Sequence, residues 1–351
     1  ATTEIYTLSL HDALPIFRTQ KGGRITERTG ILSLFGGLAL FLFGMDRMSE
    51  ALQQAAGERL RRALAALTRT PLTGALAGMV VTAVMQSSSA TTVMVIGFVS
   101  AGLLELPQAV AVIFGANIGT TVTAQLLAFR VEEMLGLVLF GGFFLCAVAR
   151  TKRGRQMGTA VFSFGLLFAG MEQIQSVVEP LALRPEFEAW MAQVREKPLW
   201  GLLLGLGMTL VVQSSSATIG VLQGVARQAG PDGVHSLLGL AGAVPVLLGD
   251  NVGTTITAIL AAAGGTRDAK RAAAAHCCFN LSGSLVCLLA LPWFVRLVEL
   301  LPPEGEELEI IARQIANAHT LFNALCTLIW LPLTPLMVRL VTTLVPEKRT
   351  E

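Results

Sequence analysis

Charge is what this sequence has least of. Only 14% of its 351 residues are Asp, Glu, Lys or Arg, against about a quarter in soluble domains, so there are too few polar side chains to coat a globule of this size. The formal balance is +2, and the basic residues stand in short clusters between apolar stretches, which excludes a nucleic-acid footprint. Cysteine is scarce as well. Cys146, Cys277, Cys278, Cys287 and Cys326 all lie inside apolar runs with no CxxC or Cys/His ligand spacing, so the thiols read as core packing and neither a disulfide framework nor a metal site is expected. No GxSxG elbow and no carboxylate orienter accompanies His276 or His319, which argues against an intramembrane hydrolase, and an enzyme is not expected. What is abundant is apolar material: 53% hydrophobic residues and a mean hydropathy of +0.63 describe an integral membrane protein.

Two polar islands interrupt that apolar bulk, "QSSSATTVMVIGFV" from Gln86 and "QSSSATIGVLQGVA" from Gln213. They belong to a repeat. "GANIGTTVTA" (Gly115–Ala124) matches "GDNVGTTITA" (Gly249–Ala258), and "FGM" at Phe43 answers "AGM" at Ala169, in the same order and at nearly constant offsets of 127, 134 and 126 residues. The duplicated units are residues 31–149 and 158–345. Around them lie an N-terminal segment (1–30), a basic cytoplasmic linker (150–157) and a C-terminal tail (346–351). Ala1–Ile16 reads like the translation of a short-read sequencing adapter and is set aside from the fold argument.

A crossing helix needs about 20 apolar residues, and runs of that kind occupy 31–46, 107–129, 133–149, 158–178, 236–263, 272–299 and 311–345. The QSSS regions differ: the 14 residues Leu199–Val212 make only about 21 Å of helix, so each region is either one broken crossing or a re-entrant hairpin. Loop charge decides. Arg150–Arg155 and Arg267–Arg271 are basic and cytoplasmic, whereas Glu304–Glu309 suits the far side. An even number of crossings must then separate Arg155 from Arg267, which the second QSSS region satisfies only as a hairpin. Arg59, Arg61, Arg62 and Arg69 put the first hairpin's entrance inside; Arg18, Lys21, Arg24 and Arg28 sit on the side opposite to this scheme. The expected fold is an all-α integral membrane protein, an inverted-topology repeat with two re-entrant helical hairpins, as in secondary transporters. Met48–Leu67 and Val178–Val194 mix charge with apolar residues and are expected to lie along the interface or to brace the hairpins.

A helix broken at membrane depth leaves backbone N–H groups without partners, which persists only where protein or a wet cavity satisfies them. Three serines before an apolar helical run supply N-caps and hydroxyls at the positive end of the following half-helix, where an oxyanion binds. Ser87, Ser88 and Ser89 are therefore expected to meet Ser214, Ser215 and Ser216 around one small anion. Gln86 and Gln213, with the carbonyls ending the preceding half-helices, offer oxygens to Na⁺. Asn117, Thr120 and Thr121, repeated as Asn251, Thr254 and Thr255, are further candidate sodium ligands; the alternative is interhelical hydrogen bonding. Asp250, whose counterpart is Ala116, is a candidate cation ligand or charge-coupling group, unless it sits at the interface in water. Asp46 and Glu172, at helix ends, read as interfacial. His276 and His319 recur in "AHCCFN" and "AHTLFN" with Asn280 and Asn323 four residues on, which reads as a duplicated hydrogen-bonding role.

These residues carry a resemblance. The paired QSSSAT motifs, GANIGTT/GDNVGTT and the AHxxFN helices resemble the type II sodium-phosphate cotransporter (Na/Pi symporter) family, in its bacterial branch, over about Ile31–Pro346. The resemblance implies that Gln86–Ser89 and Gln213–Ser216 line the phosphate and Na⁺ sites, and that phosphate moves inward down the sodium gradient across the cell membrane, with Na⁺ as coupling ion and no other cofactor. It leaves room for a homodimer and, since the chain stops at "VPEKRTE" without a PhoU-like domain, for a separate PhoU-like regulator. Carriage of sulfate, arsenate or a dicarboxylate, and sensing of phosphate without transport, are the alternatives.

Overall fold

The computed structural model describes residues 27–56, 68, 70–129, 134–182 and 184–347; Arg18, Lys21, Arg24, Arg59, Arg61, Arg62 and Arg69 lie outside them. The described residues form fifteen helices and no strand, apart from one isolated bridge between Ala229 and Ser236. In chain order these are α1 (Glu27–Ala56), α2 (Pro71–Met85), α3 (Ser88–Ser100), α4 (Leu106–Leu127), α5 (Leu135–Val148), α6 (Lys152–Ala182), α7 (Pro185–Glu196), α8 (Pro198–Val212), α9 (Ser215–Ala226), α10 (Gly239–Gly253), α11 (Thr255–Ala262), α12 (Arg267–Leu289), α13 (Leu291–Glu299), α14 (Glu307–Trp330) and α15 (Thr334–Leu344).

Local chemistry sets these boundaries. Thr70 caps α2 by accepting from the Thr73 amide, with Pro71 at the first turn, where a missing N–H costs nothing. Thr266 caps α12 in the same way through Ala269. Two apolar runs that the sequence presents as continuous are broken instead. The 311–345 run bends by 87° between α14 and α15, where Pro332 and Pro335 withhold amide donors from the helix; the 272–299 run stops at Leu289, just before Pro292. The 133–149 run yields only the 14 residues of α5, about 21 Å and short of a hydrocarbon core. The stretch 150–157 is not a separate linker, because α6 already begins at Lys152.

Among the described residues five helical spans are long and apolar enough to cross a bilayer: 30–56, 106–127, 152–182, 239–262 and 267–289. They are not equivalent. Protein buries 78% of an 18-residue apolar stretch of α4 and 72% of one in the α10–α11 span but only 28% of one in α1, so the two copies of the GxNxGTT segment form the centre of the bundle. Phe140, Phe143 and Phe144 of α5 are each more than half exposed, a surface that hydrocarbon accepts and water does not. The chain is a multi-pass helical membrane protein.

α2 packs along α4, and α8 along α10, each broken pair leaning on the central helix of its own unit. The start of α14 shows how the units face each other. Glu307 and Gln314 meet Gly239 and Leu240, at the beginning of α10, around a cavity of about 430 Å³. The same stretch also touches the end of α4: Arg313 donates to Gln125 Oε1 (2.7 Å), and Gln223 bridges the Ala124 and Ala312 carbonyls (3.1 and 3.0 Å). The end of α4 therefore lies beside the start of α10, and the two central helices run in opposite directions. By the same logic α9 ends beside the end of α4, whereas α3 ends at Ser100, against the Gly265 turn that follows α11. α7, from the charged Val178–Val194 stretch, packs on α8 and α10.

Candidate functional site

Both QSSS motifs break their helix in the same way. Gln86 ends α2 with φ 54°, ψ 26°, and Gln213 ends α8 with φ 55°, ψ 24°. They are the two non-glycine residues with positive φ among those described, in a left-handed region that costs an L-residue about 1–2 kcal/mol. Each Gln amide donates back to a threonine carbonyl, Thr82 or Thr209, at 2.7 Å. The next residue then caps a new helix: Ser87 accepts from the Ala90 amide (3.1 Å) and Ser214 from the Ala217 amide (3.3 Å).

A second duplicated device, which the sequence reading overlooked, clamps the two half-helices together. Thr82 donates to Thr91 (2.9 Å) across the first break, and the hydroxyls of Thr209 and Thr218 pair at 3.0 Å across the second. Both pairs are buried to within 1% exposure. The glycine of each NxGTT motif rests on this clamp: a Cβ at Gly119 would stand 2.6 Å from Thr82 Cβ, and one at Gly253 2.7 Å from Thr209 Cβ. Only a residue without a side chain lets the central helix approach so closely. The signal was in the sequence, because these threonines occupy the same places, four before and five after Gln, in both copies.

The two breaks converge. Ser49 of α1 donates to the carbonyl of Met85, the residue before Gln86, at 2.7 Å, while Ser214 donates to the Met45 thioether at 3.6 Å. Met45 and Ser49 are one helical turn apart, about 6 Å of rise. Thr257 of α11 ties the units directly by donating to Ser89 (3.3 Å). Two helix N-termini, those of α3 and α9, thus share one neighbourhood. Among the described residues none engages the hydroxyl of Ser88, Ser215 or Ser216 in a hydrogen bond.

The remaining sequence candidates divide. Thr120, Thr121, Thr254 and Thr255 donate to carbonyls of their own helices, at Ala116, Ile118, Asn251 and Val252. Asn117 and Asn251 donate likewise, to Ile113 (2.8 Å) and Leu247 (2.9 Å), but turn their amide oxygens toward the AHxxFN helices. His276 Nε2 lies 3.3 Å from Asn117 Oδ1, and Asn323 donates to Asn251 Oδ1 at 3.4 Å. Farther along these helices Ser284 donates to the Leu248 carbonyl and Thr327 to that of Phe114. The acceptors are 134 residues apart, the offset of the central repeat. Asp250 is completely buried rather than interfacial. Its Oδ1 accepts from Thr209 at 2.6 Å and its Oδ2 meets no partner.

A family model described as Na+/Pi-cotransporter matches the chain twice, over residues 40–176 and 178–323. The chain belongs to the Na⁺/Pi-cotransporter family. The two matches meet near the end of α6, which the first match includes up to residue 176. YqeW of Bacillus subtilis (strain 168) is 34% identical over 275 residues, 78% of this chain and 87% of that protein. A protein of Escherichia coli (strain K12) named "Putative inorganic phosphate export protein YjbB" is 28% identical over 258 residues, 74% of this chain but 46% of its own length. The chain therefore spans about half of YjbB. Sodium-dependent phosphate transport protein 2A of Rattus norvegicus is 38% identical over 97 residues, 27% of this chain and 15% of that protein. No solved structure matches the chain.

For this member of the Na⁺/Pi-cotransporter family, the chemistry available at the breaks follows from the geometry. Free hydroxyls and helix-terminal amides are donors aimed at an oxyanion. Carbonyls at the ends of α2 and α8, the Gln86 oxygen and the Asp250 carboxylate are oxygen acceptors of the kind a hard cation requires. Thr123, absent from the sequence candidates, joins this set by donating to Gln86 Oε1 at 2.9 Å.

Proposed function

We propose that this protein couples the movement of inorganic phosphate to Na⁺ by alternating access, in an inverted-topology repeat whose two QSSS regions are re-entrant hairpins entering the cell membrane from opposite faces. One observation carries the reading: two helix breaks of matching geometry, each opening a serine-capped helix N-terminus, lie against a single turn of α1. Ser87–Ser89 and Ser214–Ser216 hold the phosphate; Gln86, Gln213, Asn117, Asn251 and Asp250 supply oxygens to Na⁺. Thr120, Thr121, Thr254 and Thr255, whose hydroxyls are spent within their helices, serve this site through shape. The opposite directions of α4 and α10 support the inversion, and the separate neighbourhoods in which α3 and α9 end support entry from opposite faces.

The names of the rat relative and of YjbB favour phosphate as the anion, and the latter name raises the question of direction. A coupled carrier runs whichever way the summed gradients drive it, so an inward Na⁺ gradient gives import. The test is ³²P-phosphate flux in proteoliposomes with Na⁺ imposed on either side. Uptake should follow Na⁺ and reverse with it; flux indifferent to Na⁺ removes the coupling, and tight phosphate binding without flux makes the protein a sensor. Competition by sulfate, arsenate or a dicarboxylate that matches phosphate would reassign the anion.

A further inference from the structure

The transport reading makes no use of the cavity of about 430 Å³ where α7, α13 and α14 meet the start of α10. Gly239 opens α10 eleven residues before Asp250, about 16 Å of helix, so the cavity lies away from the second break. Gln314 marks it as a site. This residue lines the cavity, is only 9% exposed and makes no hydrogen bond with any described residue. A buried amide finds partners, and this one has only the cavity to find them in. Three charges share the lining: Arg195 from α7, Glu299 from α13 and Glu307 from α14. Among the described residues none of the three forms an ion pair; the pairs there lie elsewhere. The first turn of α10 completes the wall. Ser236 accepts from the Leu238 and Gly239 amides (3.3 and 3.0 Å), whereas the Leu240 and Ala241 amides stand at the positive end of the helix with no acceptor inside it.

This wall carries both signs of charge without letting them pair. An anion alone meets Glu299 and Glu307; a cation alone meets Arg195 and the helix N-terminus. A small zwitterion satisfies both. Its anionic end suits Arg195, whose guanidinium matches a phosphate, together with the α10 amides; its cationic end suits the two carboxylates and the Gln314 carbonyl. That cation is a primary ammonium, with N–H groups to donate, because a quaternary one is held by aromatic rings and none lines the cavity among the described residues. The source of the zwitterion follows from the three sides of α13. Phe294 and Val298 are buried against protein, Val295 and Glu299 line the cavity, and Trp293, Leu297 and Leu300 are 70%, 43% and 80% exposed. α12 begins at the basic Arg267–Arg271 turn and crosses, so the nine residues of α13 lie along the opposite interface. Trp293, and Trp190 of α7 at 72% exposed, fit the level of lipid headgroups. The exposed apolar side of α13 therefore runs beside the cavity as a bed for acyl chains.

We propose that this cavity binds the headgroup of a phosphatidylethanolamine-type lipid in the leaflet opposite the basic loops, its phosphate on Arg195 and the α10 N-terminus and its ammonium on Glu299, Glu307 and Gln314. The site stands whichever anion the carrier moves. The test is native mass spectrometry of the full chain released from detergent, with dioleoyl-phosphatidylethanolamine, the phosphatidylcholine bearing the same chains, and free O-phosphoethanolamine as probes. Wild-type protein should retain one phosphatidylethanolamine per chain and prefer it to phosphatidylcholine by about tenfold, the worth of hydrogen bonds to a charged group. Arg195→Gln, the double variant Glu299→Gln/Glu307→Gln, and Gln314→Leu should each abolish most of that preference. Arg296→Gln, on α13 but outside the cavity wall, should leave it intact. Arg195 and Glu299 are exposed and Glu307 half-buried, so their variants should elute as wild type on gel filtration and carry the test even if Gln314→Leu fails to fold. Equal retention of the two lipids by the wild type overturns the proposal, as does an undiminished preference in the folded charge variants. Displacement of the lipid by free O-phosphoethanolamine at equal concentration overturns the lipid assignment and makes the cavity a site for a soluble zwitterion.

Discussion

The two breaks share a skeleton and differ in contents. The left-handed glutamines agree within 2° in φ and ψ, and the serine caps, the threonine clamps and the glycines resting on them recur one for one. The contacts of the glutamines, and the residue at the Asp250 position, do not recur. Gln86 is 6% exposed and receives Thr123, whereas Gln213 is exposed and its counterpart donor, Thr257, reaches over to Ser89 of the other unit. Ala116 stands where the second unit has Asp250. Duplication thus preserved what makes a break stable and left free what fills it. On the proposed mechanism the asymmetry of the glutamines is that of one stage in a cycle, the first half-site drawn in and the second opened. The asymmetry of Asp250 is permanent.

The largest effect should come from attacking the shared skeleton. Gly119→Leu or Gly253→Leu drives a side chain into the threonine clamp, where backbone and Cβ atoms stand 3.2 Å or less from the new Cβ alone. Overpacking of this kind costs about 1–3 kcal/mol when neighbours can shift, and here a backbone amide or carbonyl is among them. Neither variant should yield monodisperse protein by gel filtration. If one tolerates the change and the other does not, the clamps are not equivalent and the skeleton is less symmetric than its geometry suggests.

Next come the serines. Ser88→Ala and Ser215→Ala remove hydroxyls that no described residue uses, so they should leave stability within about 0.5 kcal/mol. Each should cut Na⁺-driven phosphate uptake at least tenfold, as expected from losing a hydrogen bond to a charged ligand, about 1.5–3 kcal/mol. Wild-type uptake in both would remove the serine clusters from the site. A loss in only one would mean that phosphate belongs to a single unit.

Much of this comparison was legible in the sequence. Polar residues inside apolar runs located both breaks, because lipid tolerates no unexplained amide, and the offsets of 126 to 134 residues exposed the duplication. The clamp threonines were equally visible and went unread, since a threonine in a membrane helix ordinarily bonds its own backbone, as Thr120 and Thr254 do. Three features had no local signal. The convergence of both breaks on Met45 and Ser49 depends on how α1 docks; glutamine has no intrinsic preference for φ near 55°; and the neighbours of Asp250 come from a helix 41 residues away. The 87° bend at Pro332 and Pro335 was written in the sequence but masked by the hydrophobicity around it.

The glutamines give a finer cut. Gln86→Gly and Gln213→Gly each keep the left-handed conformation and relieve its cost, so thermal stability should hold or rise in Gln213→Gly, by up to about 1 kcal/mol, while in Gln86→Gly the unpaired Thr123 hydroxyl should offset that gain. If the side chains coordinate Na⁺, both variants should nonetheless need several-fold more Na⁺ for half-maximal uptake. The shift should be larger for Gln86, whose oxygen is already oriented by Thr123. Equal Na⁺ dependence in wild type and both variants would make the glutamines backbone devices only.

The smallest effect lies outside the repeat's symmetry, in the loop between α9 and α10, which the first unit does not match. Asp232 accepts from the Val234 and His235 amides (both 3.0 Å) and faces His235 Nδ1 at 2.6 Å. The His235 amide, then the Val234 amide, hold the carboxyl well below its usual range, and the carboxylate in turn raises His235. The signs differ. The contribution of Asp232 is complete above about pH 4, its unfolded value, and fades as pH falls through its lowered one; that of His235 is complete below about pH 6.5 and fades as pH rises through its raised one. The loop should therefore be tightest between about pH 4 and 6.5. Hydrogen exchange at Val234 and His235, corrected for the intrinsic rate, should show more protection at pH 5.5 than at pH 8, and Asp232→Asn should flatten that difference while leaving phosphate uptake at pH 7 unchanged. An Asp232→Asn loop with the wild-type profile would mean that turn geometry alone sets the protection; altered uptake would tie this loop, and with it the start of α10, to the transport cycle of the second unit.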